Sequence, residues 1–529
     1  MADPVPWSYE NQEPEARATE TEPEDGLPQR FGANAFMNYA ADVVLALSAL
    51  VVTPLILHHL GDAAFGVWAL AGSVILYLEL FELGFGLATI KQVAEDAGRR
   101  SGAVVRTINT NFAVLCGFGA FALASGLVIA LMAPTLFSVP ESLHDETGLV
   151  FAVLALSLAA SVPLDVIGSA LAGYQRYDLL SGSNIFGAVL VGVVSAAVVV
   201  AGGGLVALAV SNALIMLGMH RLRWSVLKRI LPELRLSPRL VERRRVVTTA
   251  RLSGWFLLRD LAEVMIRRVD LVVVGAVLGV EKAAVYAIGA KLAQLGRKSF
   301  SPLAKLYLPF ASEVSESGDR SRLRSLLLDG TRVAMLIGIP VTLVLSLLAL
   351  PAVRAWVGPG YREAASVLIF LAAAEGLFSV TETGWHIVAG AGRVRLAATV
   401  TITEALVNLV ASLALAKPLG PAGVALGTLI GVVVVDLPMG LIFTSRAVAV
   451  PGSELWRRTI RPHVVPVLVT VASLMVIRTH LPEGRTQVLG GAGLGVAIYL
   501  LTYLLTGATE SERARLRSSA ASLRRRVST

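Results

Sequence analysis

Apolar runs of about 20 residues recur along this chain from Phe36 to Thr506, each long enough to cross a hydrocarbon core of about 30 Å as a helix. Bilayer has no water to satisfy loose backbone groups, so only helices and closed barrels can span it. The runs are continuous in Leu, Val, Ala and Gly without period-2 alternation, which selects helices. Composition agrees. Hydrophobic residues make up 55% of the 529 positions, charged residues 16%, and the mean hydropathy is +0.69. A soluble chain carries roughly a quarter charged residues, so a soluble enzyme is excluded. The fold class expected is all-α, a polytopic membrane protein.

Breaking the runs at charged and Gly/Pro-rich segments predicts about fourteen spans: 34–57, 64–88, 108–134, 148–172, 183–201, 203–219, 252–278, 284–311, 328–349, 364–389, 397–416, 420–445, 462–479 and 487–506. The seventh and eighth are the least hydrophobic. With the N-terminus inside, segments assigned to the cytosol hold 33 Lys and Arg, counting Arg332 near a span end, and segments assigned to the outside hold six, counting Arg478. That bias predicts both termini in the cytosol. It also accounts for the net charge of +8 without nucleic acid. Residues 1–33 read as an acidic, disordered cytosolic tail with no cleavable signal. The basic segments 220–251 and 507–529 suit the anionic inner leaflet, and 446–461 is a further basic cytosolic loop. The one cysteine, Cys116, excludes an intrachain disulfide and reads as a small core residue.

The chain repeats itself. Leu60-Gly61-(x)4-Gly66-Val67-Trp68-Ala69-Leu70 matches Leu278-Gly279-(x)4-Ala284-Val285-Tyr286-Ala287-Ile288 at an offset of 218. Ala172-Gly173-x-x-Arg176 matches Ala389-Gly390-x-x-Arg393 at 217, and Val206-Ala207-Leu208-Ala209 matches Val424-Ala425-Leu426-Gly427 at 218. Three matches in order at one offset predict two six-helix bundles, 34–219 and 252–445, followed by two extra helices in 462–506. An even helix count per half makes the halves parallel repeats, an arrangement that transporters use for alternating access.

The segment Pro54-(x)5-Leu60-Gly61-(x)3-Phe65-Gly66-Val67-Trp68, with Glu82-Leu83-Gly84-Phe85-Gly86 after it, resembles the polysaccharide (O-antigen-type) flippase family of the MATE-like superfamily. Its second-half counterpart, from Asp270 to Leu292, is similar to that family's seventh and eighth helices. The resemblance covers roughly 34–445 and departs in helix count, since many members have twelve. It implies a bacterial inner-membrane transporter that flips a polyprenyl-pyrophosphate-linked oligosaccharide for cell-surface polysaccharide synthesis. Implied partners are the lipid-linked oligosaccharide, a polysaccharide polymerase and glycosyltransferases. A MATE-type cation-coupled exporter and a lipid II flippase are the alternatives. A polymerase or ligase is disfavoured by the short external loops.

The seventh and eighth spans hold seven basic residues: Arg259, Arg267, Arg268, Lys291, Arg297, Lys298 and Lys305. Each would cost at least about 2.5 kcal/mol facing lipid, so the set is expected to face a wet cavity suited to a pyrophosphate. The competing reading is internal neutralisation by nearby carboxylates. Acidic residues within spans, Asp42, Glu79, Glu82 and Asp270 foremost, are candidates for coupling to H+ or Na+. Asp165, Glu375, Glu382, Glu404, Asp436 and His386 form a wider polar set. There is no nucleotide-binding loop, no zinc-ligand spacing and no nucleophile motif, so neither cofactor nor metal is expected.

Overall fold

The computed structural model describes residues 26–97, 101–242, 245–247, 269–480, 484–510 and 512–513. Arg259, Arg267 and Arg268 lie outside the described residues, as do residues 1–25 and the side chains of Asp42 and Glu82. Among the described residues every regular element is helical. In order they are α1 (Gly26–Ala97), α2 (Ser101–Leu136), α3 (His144–Gly173), α4 (Tyr177–Val200), α5 (Leu205–Ile230), α6 (Val269–Leu278), α7 (Val280–Glu316) and α8 (Arg320–Leu347). Then follow α9 (Ala349–Val357), α10 (Arg362–Gly390), α11 (Val394–Gly431), α12 (Leu437–Val448), α13 (Gly452–Leu455), α14 (Arg461–His480) and α15 (Arg485–Thr506).

Eleven of the described stretches are long and apolar enough to cross a membrane. Two of the expected spans are the arms of α1, which breaks at Gly61. The eighth expected span lies in α7, whose lysines and arginine keep it out of the apolar set; of the seventh, only 269–278 is described. The sixth helix also runs further than expected. α5 continues to Ile230, past the expected end at 219, because Arg221, Arg223, Lys228 and Arg229 are good helix formers that need no lipid. Residues beyond it return to the first bundle: Asn109 on α2 donates to Arg235 O at 2.8 Å and accepts from Ser237 N at 2.6 Å.

The sequence repeat is written again in the backbone. Left-handed φ values occur at Gly61 (82°) and Gly279 (87°), at Gln175 (58°) and Gly392 (81°), and at Gly202 (83°) and Gly420 (61°). These pairs stand 218, 217 and 218 residues apart, the offsets of the motifs. At Gly61 and Gly279 ψ is near 175° as well, a region that a Cβ disfavours. Packing repeats too. A Cβ on Gly173 would lie 3.1 Å from Ile90 O, and one on Gly390 would lie 2.5 Å from Leu308 O. Helix pairs in bilayer associate through close packing of small residues, and each half does so at the same place.

The cores divide the molecule by height. One large core draws on both halves: Phe65, Leu70, Phe137 and Phe151 from the first, Val274, Ile288, Val367 and Leu368 from the second. It sits at the end bearing the Gly61 and Gly279 turns, which the charge bias assigns to the outside and which is called the outer end below. Toward the inner end each half has its own core. The first half's includes Val104, Ile108, Val166 and Leu171; the second half's includes Ala311, Leu327 and Ile387. Among the described residues, the halves therefore share a core at one end and have separate cores toward the other. Cys116, expected in the core, is exposed on α2. In a bilayer the lipid-facing surface is as apolar as the interior, so an apolar run does not reveal which face is buried.

The extra helices dock on α8. Arg332 is buried there and donates to Tyr503 OH, Arg458 O, Gly507 O and the Glu512 carboxylate, which ties three separate segments to the second half.

Candidate functional site

The first arm of α1, its second arm and α7 meet at the shared core. α7 has three lysines seven residues apart, Lys291, Lys298 and Lys305. That spacing is close to two helical turns, so the three lie on one face and span about 21 Å of helix. Lys291 and Lys298 are half-buried and Lys305 is exposed. Lys291 reaches across to the first half. Its Nζ donates to Thr53 Oγ1 at 2.8 Å and lies 5.0 Å from the centre of the Phe65 ring. Around it the outer end is closed by Trp356 Nε1 donating to Leu50 O at 2.7 Å and by Tyr361 OH donating to Asp62. Gly66 packs directly on the backbone of Val280.

Arg297 belongs to a different environment. Its guanidinium turns into the second half, 3.2 Å from Glu375 and 3.1 Å from Glu382, over the Phe378 ring. Glu382 also accepts from Ser301 at 2.7 Å, with His386 3.9 Å away. This is the internally neutralised arrangement, and the structure separates Arg297 from the lysine face by it. Beyond Glu382, Asp436 accepts from Trp385 Nε1 at 2.8 Å and from Thr381 Oγ1 at 2.5 Å. Asp436 closes a π-helical stretch, Val432–Asp436, an irregularity common at functional positions.

Asp270 is buried in an oxygen-rich pocket between α6, α7 and α11. One carboxylate oxygen accepts from Tyr286 OH at 2.8 Å and Thr428 Oγ1 at 2.5 Å. The other has no hydrogen-bond partner among the described residues. Asn408 and Ser412 stand beside it, and Ser412 donates to Asn408 Oδ1 at 2.8 Å and Val424 O at 3.1 Å. A carboxylate, an amide, hydroxyls and a backbone carbonyl are hard oxygen donors of the kind that hold an alkali cation or a proton. Asp270 was among the expected coupling residues; Tyr286, Asn408, Ser412 and Thr428 were not. Their signal was present: Glu404, Asn408 and Ser412 recur every four residues along one face of an apolar helix. Glu79 is half-buried on α1, away from this pocket in sequence and half. In the first half Asp165 lies 3.8 Å from both Arg223 and His220.

The profile of the family described as polysaccharide biosynthesis protein matches residues 59–366. No curated protein matches the chain. Among solved structures it is similar to an inward-facing multidrug-resistance transporter of the MATE family in the MOP superfamily, with a TM-score of 0.68 and 16% identity, covering 78% of this chain and 98% of that one. It is also similar to the lipid II flippase MurJ in an inward closed conformation, with a TM-score of 0.69 and 14% identity over 88% of this chain and 98% of that one. A MOP-superfamily transporter from Pyrococcus furiosus gives a TM-score of 0.52 at 18% identity, covering 80% and 95%. The chain belongs to the polysaccharide biosynthesis protein family and has the fold of the MOP-superfamily membrane transporters.

Proposed function

We propose that the protein flips a polyprenyl-pyrophosphate-linked oligosaccharide from the inner to the outer leaflet of the bacterial inner membrane, by rocking its two halves about the shared outer core. The observation that carries this reading is the lysine face of α7. Three ammonium groups line one side of a helix that packs between the halves, and a pyrophosphate is the anionic part of such a cargo. Lysine donors to phosphate oxygens form charge-assisted hydrogen bonds, about twice as strong as neutral ones. Family membership supplies the pathway, and the glycosyltransferases and polymerase of that pathway are the expected partners. Both termini and the basic segments lie on the cytosolic side in this reading, against anionic lipid. Asp270 and its oxygen ring take the coupling ion, H+ or Na+.

A MATE-type exporter of organic cations is the second reading, and the lysine face opposes it, because a cationic cargo would be repelled there. The test is translocation of a fluorescent lipid-linked oligosaccharide in proteoliposomes. Replacing Lys298 and Lys305 with Ala is expected to reduce transport by about 10-fold or more, the scale of losing two exposed or half-buried charge-assisted contacts. Full transport by the double variant at normal protein levels would refute the pyrophosphate reading.

A further inference from the structure

We infer that the inner end of the second half carries a binding site for the phosphate of an anionic inner-leaflet phospholipid, set between the start of α8 and the chain that joins α12 to α14. The site does not depend on the proposed cargo.

An open pocket of about 410 Å³ lies there, lined by Arg320, Ser321 and Arg324 on α8, Val448 and Ala449 at the end of α12, and Arg458 in the turn leading into α14. α12 ends where Ala449 turns left-handed, at φ 56°, and Val450 N bonds back to Ser445 O at 2.8 Å. Glu454, 8% exposed, accepts from Arg324 and lies 3.3 Å from Arg458 Nε. It holds two of the three guanidinium groups in place, which lowers the ordering cost that a ligand must meet. Three arginines against one glutamate leave positive charge in excess around the pocket. The adjacent Asp319 carboxylate is engaged by the N–H groups of Ser321 and Arg322 at the start of α8.

The depth of the pocket is that of a headgroup. Two stretches able to cross the membrane, Arg320–Leu347 and Gly452–Thr479, begin at it. Trp456 beside it is 52% exposed, and tryptophan concentrates at the level of lipid headgroups. About two and three turns further along α14, Val465 and Val469 expose apolar side chains, a surface that acyl chains cover. A soluble anion would use only the arginines, whereas a phospholipid uses both. Guanidinium groups take phosphate oxygens in bidentate, charge-assisted hydrogen bonds. A zwitterionic lipid brings its own cation to the same excess of positive charge, so an anionic headgroup is preferred. Bound there, it bridges α8 to the start of α14, beside the bond from Arg332 to Arg458 O.

Native mass spectrometry of the full chain released from detergent tests the site, with phosphatidylglycerol or phosphatidylcholine of the same acyl chains as the probe. The parent is expected to hold one phosphatidylglycerol about 10-fold more tightly than phosphatidylcholine, the scale of one charged hydrogen bond. R320E and R458Q are each expected to remove most of that preference. Arg320 is exposed, and R320A covers the case in which R320E or R458Q does not fold. R393E makes an equal charge change on the exposed turn after α10 and is expected to keep the preference. Equal losses in R320E and R393E overturn the site, because a diffuse basic surface then attracts the lipid. An unchanged preference in R320E, R320A and R458Q overturns it as well. Displacement of phosphatidylglycerol by inorganic phosphate at equal concentration assigns the pocket to a soluble anion and overturns the lipid.

Discussion

The two halves share a backbone and differ in chemistry. Across the 218-residue offset, Lys291, Lys298 and Lys305 of the second half correspond to Ser73, Leu80 and Leu87 of the first, and Asp270 corresponds to Val52. The turns and the small-residue contacts are repeated; the lysines and the buried Asp270 are not. One half carries the lysines and the buried Asp270, and the other presents neutral residues such as Thr53 and Phe65 to Lys291. Rocking needs two similar bodies, whereas recognition of an asymmetric lipid headgroup needs only one charged face. Under the proposed function, duplication would supply the first and divergence the second.

The strongest way to break this comparison is to neutralise the buried carboxylate. D270N removes the negative charge of the oxygen pocket while keeping its shape. It is expected to lower ion-driven transport by about 100-fold, near the upper range for coupling between two sites. V52A at the corresponding place in the first half is expected to leave transport unchanged. Counterflow in proteoliposomes with imposed Na+ or H+ gradients measures both, and equal losses would mean that the halves share the coupling role.

Arg297 gives a second contrast, because its counterpart at the 218 offset is Glu79. In R297A, Glu375 and Glu382 are left as adjacent carboxylates with side chains 19% and 7% exposed. Breaking a buried pair from one side costs roughly 3–5 kcal/mol, so thermal unfolding in detergent is expected at a clearly lower temperature. Adding E382Q is expected to restore part of the loss. E79A is expected to cost less, since Glu79 is half-buried and its loss strands no Glu375–Glu382 pair.

The repeat offset was legible because tight turns are local. Apolar length located the helices, and the motifs around Gly61, Gly173 and their partners gave the offset that the left-handed turns repeat. α7 was legible for the opposite reason, since its lysines stand out against apolar neighbours. What the sequence could not do was sort the cations. Whether Arg297 faces a cleft or a carboxylate depends on Glu375 and Glu382, about 80 residues away and on another helix. The surroundings of Asp270 were half legible. A charged Asp270 announces itself in a span, but Tyr286, Asn408, Ser412 and Thr428 are neutral and come together around it only when α6, α7 and α11 pack. The exposure of Cys116 was hidden because lipid and protein interior select the same residues.

The smallest expected effect tests the repeat at a helix start, outside the spans. Asp319 caps α8: its Oδ1 accepts from Ser321 Oγ at 2.8 Å, Ser321 N at 3.0 Å and Arg322 N at 3.1 Å. The corresponding residue at the 218 offset is Ser101, the first residue of α2. Hydrogen bonds from the Ser321 hydroxyl and then from the Arg322 N–H hold the Asp319 carboxyl below its ordinary value. A depressed folded-state value means that the cap contributes above the unfolded carboxylate pKa, and that the contribution is lost as pH falls through the folded one. A serine cap has no charge to lose in that window. Amide exchange at 321–323 is therefore expected to accelerate as pH drops below the ordinary carboxylate range, after correction for the intrinsic exchange rate. D319S should flatten that dependence while keeping the cap. D319A should raise exchange at every pH. A pH dependence that survives in D319S would show that another group governs the start of α8, and the two halves would then differ at this cap in more than one residue.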